Sequence, residues 1–295
     1  MDPSGFENRV SNHFQINLHG IRLAYTVHGL AGDPVFFYFH GFPGCHVEGE
    51  WLDFQRIALQ LNCRIICTDR PGMGNSEFVY GRKMTDWPAT VSALADHLGV
   101  EMFSVMGLSG GGPYVLATAW GIPERLQAAV VVSGMVPFHF PESKPDIAMT
   151  LPARSPSIRK ILARAFRTGV ILAPVWLAEK VVRILPQADQ KLFSDRENLR
   201  HLLNTYRTAL KQGTIGYLHE AEIYRRFWGF NPADITFPVI WWHGTADKNV
   251  TIGSARRLAD ELPVCSPHFI EGEGHFSLIA SSVEAIIGNA LHLRR

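Results

Sequence analysis

An α/β fold is what the sequence predicts: an eight-stranded, mostly parallel sheet flanked by helices, with a helical insertion after the sixth strand. Three observations carry this expectation. Short β-rich runs alternate with helical patterns over most of the 295 residues, as they do in βαβ units. The alternation stops between residues 137 and 232. A Gly-flanked serine stands directly between a strand pattern and a helix pattern in the stretch from Phe103 to Ala117.

The first two strands, His13–Leu18 and Ile21–His28, are separated only by His19-Gly20 and read as an antiparallel lead-in. Val35–Phe39, Arg64–Thr68, Phe103–Met106, Ala128–Val132, Pro238–Trp242 and Pro267–Ile270 follow, each a short apolar or aromatic run ending at a turn. Between them Asp86–Leu98, Gly111–Trp120, Ser254–Leu262 and Leu278–Leu293 repeat apolar residues at i, i+3 and i+4, the period of an amphipathic helix. After Gly134 the prolines 137, 141, 145, 152 and 156 punctuate a loop. A strand-free block then runs to Asn231-Pro232, with helices expected over Ser157–Arg167, Pro174–Leu185, Asp189–Lys211 and Thr214–Trp228.

Composition narrows the function classes. Apolar residues make up 46% and charged residues 19%, the profile of a chain that buries a core rather than one that stays disordered. Twenty-eight Lys and Arg against 27 Asp and Glu give a net charge of +1, which supplies no field to gather nucleic acid. The balance is uneven along the chain. Residues 137–232 hold 15 basic and 8 acidic residues, a net of +7, and the remainder holds 13 and 19, a net of −6. Four scattered cysteines do not make a disulfide framework, and Cys63 and Cys67 in CRIIC read as buried thiols of a strand. The N-terminal MDPSGFENRVSNHFQ lacks a signal or transit pattern. The longest apolar stretch, Thr168 to Ala178, is about half of the ~20 residues a membrane-spanning helix needs. The expectation is a soluble, cytoplasmic protein with no integral membrane segment and a small-molecule substrate; homo-oligomerisation is left open.

Chemistry concentrates at Gly107-Leu108-Ser109-Gly110-Gly111. In a strand-turn-helix context this G-x-S-x-G pattern lifts a serine hydroxyl above the sheet on a sharp turn that only small flanking residues permit. The helix that follows points its N–H groups at the same spot. No G-K-[ST] follows, which argues against a phosphate loop. A nucleophilic serine needs a base, and the base needs an orienting acid. Asp247 follows the strand Pro238–Trp242, and His275 follows the last strand. The order Ser109, Asp247, His275 is that of a hydrolytic triad built on such a sheet.

On these motifs the chain resembles the α/β-hydrolase fold family, in the form of a cap-bearing serine hydrolase. The resemblance spans nearly all of residues 20–295. It implies a catalytic core of residues 1–136 and 233–295 and a helical cap, or lid, at 137–232. His40-Gly41-Phe42-Pro43-Gly44 resembles the family's oxyanion loop, which implies that the backbone N–H groups of Phe42 and Gly110 form the oxyanion hole. Asp69-Arg-Pro-Gly-Met-Gly-Asn-Ser76 resembles the family's turn after the next strand and reads as structural. The elbow residue is serine rather than the aspartate of the family's epoxide hydrolases and dehalogenases, which implies an acyl-enzyme. No cofactor and no metal is expected.

Other candidates read as structural. Glu271 and Glu273 precede His275 on a short loop expected to turn them outward. His40, His46 and His243 lack a metal-ligand spacing, and His40 and His243 are expected to brace loops. Cys45 is expected to pack beside the oxyanion loop rather than react. Phe138, Phe140, Trp176, Tyr206, Tyr224, Phe227 and Trp228 supply aromatic surface for the cap's core and docking face, with some left to roof an apolar pocket. The expected activity is hydrolysis of a small-to-medium, largely apolar ester, lactone or related acyl compound. The alternatives are carbon–carbon bond hydrolysis or a lyase step with the same triad, or ligand binding without catalysis.

Overall fold

The computed structural model describes residues 13–18, 20–32, 34–138, 140 and 156–293. Eight strands form one sheet: β1 (His13–Leu18), β2 (Ile21–His28), β3 (Val35–Phe39), β4 (Arg64–Thr68), β5 (Phe103–Leu108), β6 (Leu126–Val132), β7 (Val239–Gly244) and β8 (Cys265–Ile270). Their order in space is β1-β2-β4-β3-β5-β6-β7-β8. β2 runs antiparallel to β1 and β4, and the pairings from β4 and β3 through β8 are parallel. Gly20 in the β1–β2 turn has φ +87°, a conformation that favours glycine; His19 lies outside the described residues.

The helices among the described residues are α1 (Glu48–Trp51), α2 (Phe54–Gln60), α3 (Trp87–His97), α4 (Gly112–Gly121), α5 (Pro156–Leu172), α6 (Val175–Val182), α7 (Gln187–Phe193), α8 (Arg196–Ala209), α9 (Ile215–Arg225), α10 (Ile252–Glu261) and α11 (Ser277–His292). Alternation along β3 shows how the sheet holds them on both faces. Val35, Phe37 and Phe39 join Trp87, Val91 and Leu94 of α3, Tyr114 and Val115 of α4 and Leu258 of α10. Phe36 and Tyr38 point the other way, into Phe54 and Ile57 of α2 and Ile279, Val283 and Ile286 of α11. Residues 36–39 have no solvent exposure. Burying an aromatic or aliphatic side chain of this size stabilises the fold by about 1.5–3 kcal/mol, so β3 alone anchors both layers.

Helices α5 to α9 occupy the stretch between β6 and β7, where the sequence loses its strand rhythm. The single helix expected over Asp189–Lys211 is two. The break comes at Ser194-Asp195, where Asp195 leaves helical geometry (φ −74°, ψ 117°) and accepts the Glu197 N–H at 2.8 Å. A short carboxylate that caps a new helix outcompetes continuation of the old one. Helices α1 and α2 were not anticipated, although Phe54, Ile57 and Ala58 carry helical spacing and are buried. The loop expected around Pro141, Pro145 and Pro152, like the N-terminal residues 1–12, lies outside the described residues. The apolar stretch Thr168–Ala178 falls across the bend between α5 and α6, and among the described residues no single helix is long and apolar enough to cross a membrane.

Of the aromatic residues expected in the insertion, Phe140, Tyr224 and Trp228 are buried in the same cluster as α3 and α4. They form the face by which the insertion docks on the sheet layer. Trp176 and Phe227 are exposed.

Candidate active site

The loops that follow the parallel strands converge at the carboxyl end of the sheet. Ser109 sits immediately after β5 with φ +51°, a left-handed backbone that costs a non-glycine residue on the order of 1–3 kcal/mol. Its neighbours explain how the turn closes. A Cβ at Gly107 would run into the Gly111 carbonyl, and a Cβ at Gly111 would run into the backbone of Phe39 at the end of β3. The two outer glycines of the motif are therefore required by backbone packing. Gly110 lies against Phe42, since a Cβ built on Gly110 would be 2.7 Å from that of Phe42. The Ser109 carbonyl accepts the Met135 N–H at 2.9 Å from the segment after β6.

Asp247 and His275, 28 residues apart, meet across the β7 and β8 loops, with His275 Nδ1 2.7 Å from Asp247 Oδ2. Oδ1 of Asp247 accepts the N–H groups of Asn249 (2.8 Å) and Val250 (2.9 Å), so both carboxylate oxygens are held. Burial alone would raise the Asp247 carboxyl, but His275, His243 and the Val250 N–H hold it below its ordinary range. Burial opposes a charge on His275, yet Asp247 beside it, with Asp189 and Glu48 farther away, raises its pKa above the ordinary 6.5. Nδ1–H directed at the carboxylate leaves Nε2 as the free ring nitrogen.

Ser109 and His275 both line a cavity of about 400 Å³, a size that suits a small or medium ligand. Its wall is mostly apolar. Phe42, Leu108, Met135 and Val136 come from the sheet side, and Phe138 together with Phe166, Leu202 and Tyr206 of α5 and α8 comes from the insertion. Glu48 of α1 enters the same wall.

The model of the alpha/beta hydrolase fold matches residues 34–281. This chain belongs to the alpha/beta hydrolase fold family. Over 233 residues the chain is 28% identical to the proposed carbamate hydrolase RutD of Caulobacter sp. (strain K31), covering 75% of this chain and 77% of that one. Another bacterial relative is matched over only 43% of its own length. Among solved structures the chain superposes on the enol-lactonase of Burkholderia xenovorans LB400 with a TM-score of 0.69 at 17% identity, covering 95% of this chain and 100% of that one. A thermophilic esterase from Thermogutta terrifontis matches with a TM-score of 0.67 at 22% identity, over 95% and 98% of the two chains.

Asp247 and His275 are thus bonded to each other, and His275 shares the cavity with Ser109, Phe42 and the elbow. Glu271 is exposed, and Glu273 accepts the Ser281 hydroxyl at 3.2 Å. His243 Nε2 donates to the Val250 carbonyl at 2.9 Å, and burial lowers its pKa. Cys45, His46 and Asp69 present ligand atoms within 4.8 Å of one another. They are engaged already: His46 Nδ1 is 2.7 Å from Asp69 Oδ2, which also takes the Asn75 N–H, and the Cys45 thiol faces the Thr205 carbonyl at 3.5 Å. Burial pushes the Cys45 thiol well up, which disfavours a reactive nucleophile.

Two acids of the site were missed by sequence reasoning. Asp189 of α7 is wholly buried and accepts the N–H groups of His275 (3.0 Å), Phe276 (2.9 Å) and Ser277 (2.8 Å). It caps α11 from the insertion and fixes the backbone of His275. Glu48 accepts the Tyr38 hydroxyl at 2.7 Å and the Gly41 N–H at 3.0 and 3.1 Å. Burial pushes the Glu48 carboxyl up to about 7, against the lowering effect of Tyr38, Gly41 and Arg70. Neither residue lies in a motif, and each reaches its partner through the fold, so no local signal marks it.

Proposed function

We propose that this hydrolase is a serine hydrolase cleaving a small-to-medium, largely apolar ester, lactone or related acyl compound through an acyl-enzyme, with residues 137–232 acting as a cap over the substrate. The observation that carries the reading is the buried 2.7 Å bond between His275 Nδ1 and Asp247 Oδ2, in a cavity that His275 shares with Ser109.

In this reading His275 Nε2 takes the proton of the Ser109 hydroxyl as Oγ attacks the acyl carbon. The Phe42 and Gly110 N–H groups, on residues packed against each other beside Ser109, receive the negative charge that develops on the carbonyl oxygen. Asp247 fixes the ring tautomer and stabilises the imidazolium, which then protonates the leaving group. Water, deprotonated by the same histidine, resolves the acyl-enzyme. The chemistry runs without a cofactor. The apolar wall built by Phe166, Leu202 and Tyr206 favours a substrate with little charge. Carbamates, enol-lactones and esters, the compounds in the names of the related proteins, share this acyl-transfer chemistry.

The test pairs the wild type with Ser109→Ala. A fluorophosphonate probe should label the first and not the second, and turnover of p-nitrophenyl butyrate should fall about 10⁶-fold, as when a nucleophile of this type is removed. Labelling or turnover that survives the substitution refutes the assignment. Acyl esters of increasing length, lactones and β-diketones assayed side by side separate ester or lactone hydrolysis from carbon–carbon cleavage. Saturable binding of these compounds with no turnover would identify a binding protein instead.

A further inference from the structure

The turn Asp69–Ser76 after β4 is held together by Asp69, whose carboxylate collects the N–H groups of His46 (2.6 Å) and Asn75 (2.7 Å). The turn has no use for the side chain of Arg70, which is wholly buried and leaves it for the oxyanion loop. Arg70 Nη1 donates to the His40 carbonyl at 2.6 Å, and Nη2 donates to the Gly41 carbonyl at 2.8 Å. The Gly41 carbonyl belongs to the peptide whose N–H is that of Phe42. A second donor reaches the same oxygen: His40 Nδ1 lies 2.8 Å from it, and His40 Nε2 accepts the Arg70 N–H at 3.1 Å. With the ring held neutral by burial and by Arg70, this bond pattern specifies the Nδ1–H tautomer.

The insertion holds the guanidinium in place. Nε of Arg70 donates to Glu220 Oε1 of α9 at 2.7 Å, and Arg82 pairs with Glu220 Oε2. Both members of the Arg70–Glu220 pair are wholly buried, and two guanidiniums face one carboxylate. The Tyr224 hydroxyl, one turn along α9, is 2.8 Å from both the Gly110 carbonyl and Glu220 Oε1, so it ties the elbow to the same carboxylate.

We propose that Arg70 is a positioning residue for the acyl-transfer reaction: clamped by Glu220 of the insertion, it orients and polarises the Gly41–Phe42 peptide so that the Phe42 N–H meets the developing oxyanion. The inference rests on the reading of Ser109 as nucleophile and Phe42 as oxyanion donor. Its physical basis is that a charge-assisted bond to a peptide oxygen is stronger than a neutral one, and that a bond accepted at C=O strengthens the bond donated by N–H of the same unit. A fixed cationic donor also keeps the loop from rotating its N–H away, which is the preorganisation that makes an oxyanion hole effective. The insertion is then part of the catalytic apparatus as well as a roof.

The experiment measures kcat and KM for p-nitrophenyl butyrate in wild type, Arg70→Lys and Glu220→Gln, with rates normalised to sites titrated by a fluorophosphonate. It also measures inhibition by an alkyl trifluoromethyl ketone, whose adduct with serine carries an oxyanion. Removing a whole oxyanion donor costs ~10²–10³ in kcat, so loss of the clamp should lower kcat about 10- to 100-fold in Arg70→Lys and less in Glu220→Gln. KM should stay within about threefold, and the ketone's inhibition constant should rise in step with the fall in kcat. Normalisation to titrated sites removes unfolded material from the comparison, and Glu220→Gln, which keeps its shape, carries the test if Arg70→Lys yields no folded protein. Folded variants with kcat within twofold of wild type, or with the loss confined to KM, overturn the proposal. Ser109→Ala separates the two levels. Turnover that survives it refutes the nucleophile and this role together, whereas an inactive Ser109→Ala beside a fully active Arg70→Lys refutes the role of Arg70 alone.

Discussion

Replacing Asp189 by alanine tests whether the insertion holds His275 in place. The carboxylate is wholly buried and accepts three backbone N–H groups, those of His275, Phe276 and Ser277. Alanine leaves all three without a partner at the start of α11. A buried donor left unsatisfied costs about 1–3 kcal/mol. Three on one cap do not add fully, because water or a relaxed first turn recovers part of the loss, so a total of about 3 kcal/mol is expected. For a chain of 295 residues that corresponds to a melting temperature lower by about 5 °C. Asparagine should fare only partly better, since its NH₂ would face one of the N–H groups that the second oxygen now accepts.

The same substitution has a second readout that capping alone does not move. Asp189 is among the groups that raise the pKa of His275. His275 must be neutral to accept the Ser109 proton, so wild-type kcat/KM should rise with pH along a limb centred above the ordinary 6.5. Removing the Asp189 charge should move that limb to lower pH. Differential scanning calorimetry and a pH–rate profile on p-nitrophenyl butyrate check both expectations. A variant that melts within 1 °C of wild type and keeps its acid limb would refute the reasoning.

Two further outcomes are expected. Asp247→Asn keeps the shape of the side chain but withdraws the charge from His275 Nδ1; kcat should drop on the order of 10⁴-fold with little change in stability, as for the equivalent change in other serine triads, and a loss below tenfold would contradict the orienting role. Glu48, pushed up to about 7 from 4.5 by burial, makes the folded state bind more protons than the unfolded chain between those values. Stability should therefore fall as pH rises from about 4.5 to 7 and level off above; Glu48→Gln should flatten that slope in urea titrations, and an unchanged slope would show that Glu48 is not its source.

The elements most legible in the sequence were those whose signal is local. Strand patterning placed β1 to β8 in order, most plainly for β3 to β7, because a strand buried on both faces writes a compact apolar run such as Val35–Phe39 whatever surrounds it. The strained position of Ser109 was legible in part for the same reason: Gly107 relieves a clash with the Gly111 carbonyl that the turn itself brings near, whereas Gly111 makes room for the backbone of Phe39 at the end of β3. Asp247 and His275 were found from their places after strands, since parallel strands deliver their following loops to one end of the sheet. Local patterning was less reliable at the Asp189–Lys211 helix, where a helical period continues through Asp195 although its carboxylate caps a new start.

Other features were decided by tertiary structure alone. Nothing around Asp189, Arg70 or Glu220 announces that one carboxylate caps the helix after His275, or that a guanidinium from the β4 turn and a carboxylate from α9 meet beneath the oxyanion loop. These contacts join residues 86 and 150 positions apart, so the chain carries no spacing from which to read them. The charge balance shows the same division. The sequence by itself determined a +7 insertion on a −6 remainder. Only the packed molecule decided that Arg70, from the acidic part, would bury its charge against Glu220, from the basic part, because a buried ion pair depends on which side chains the fold removes from water together.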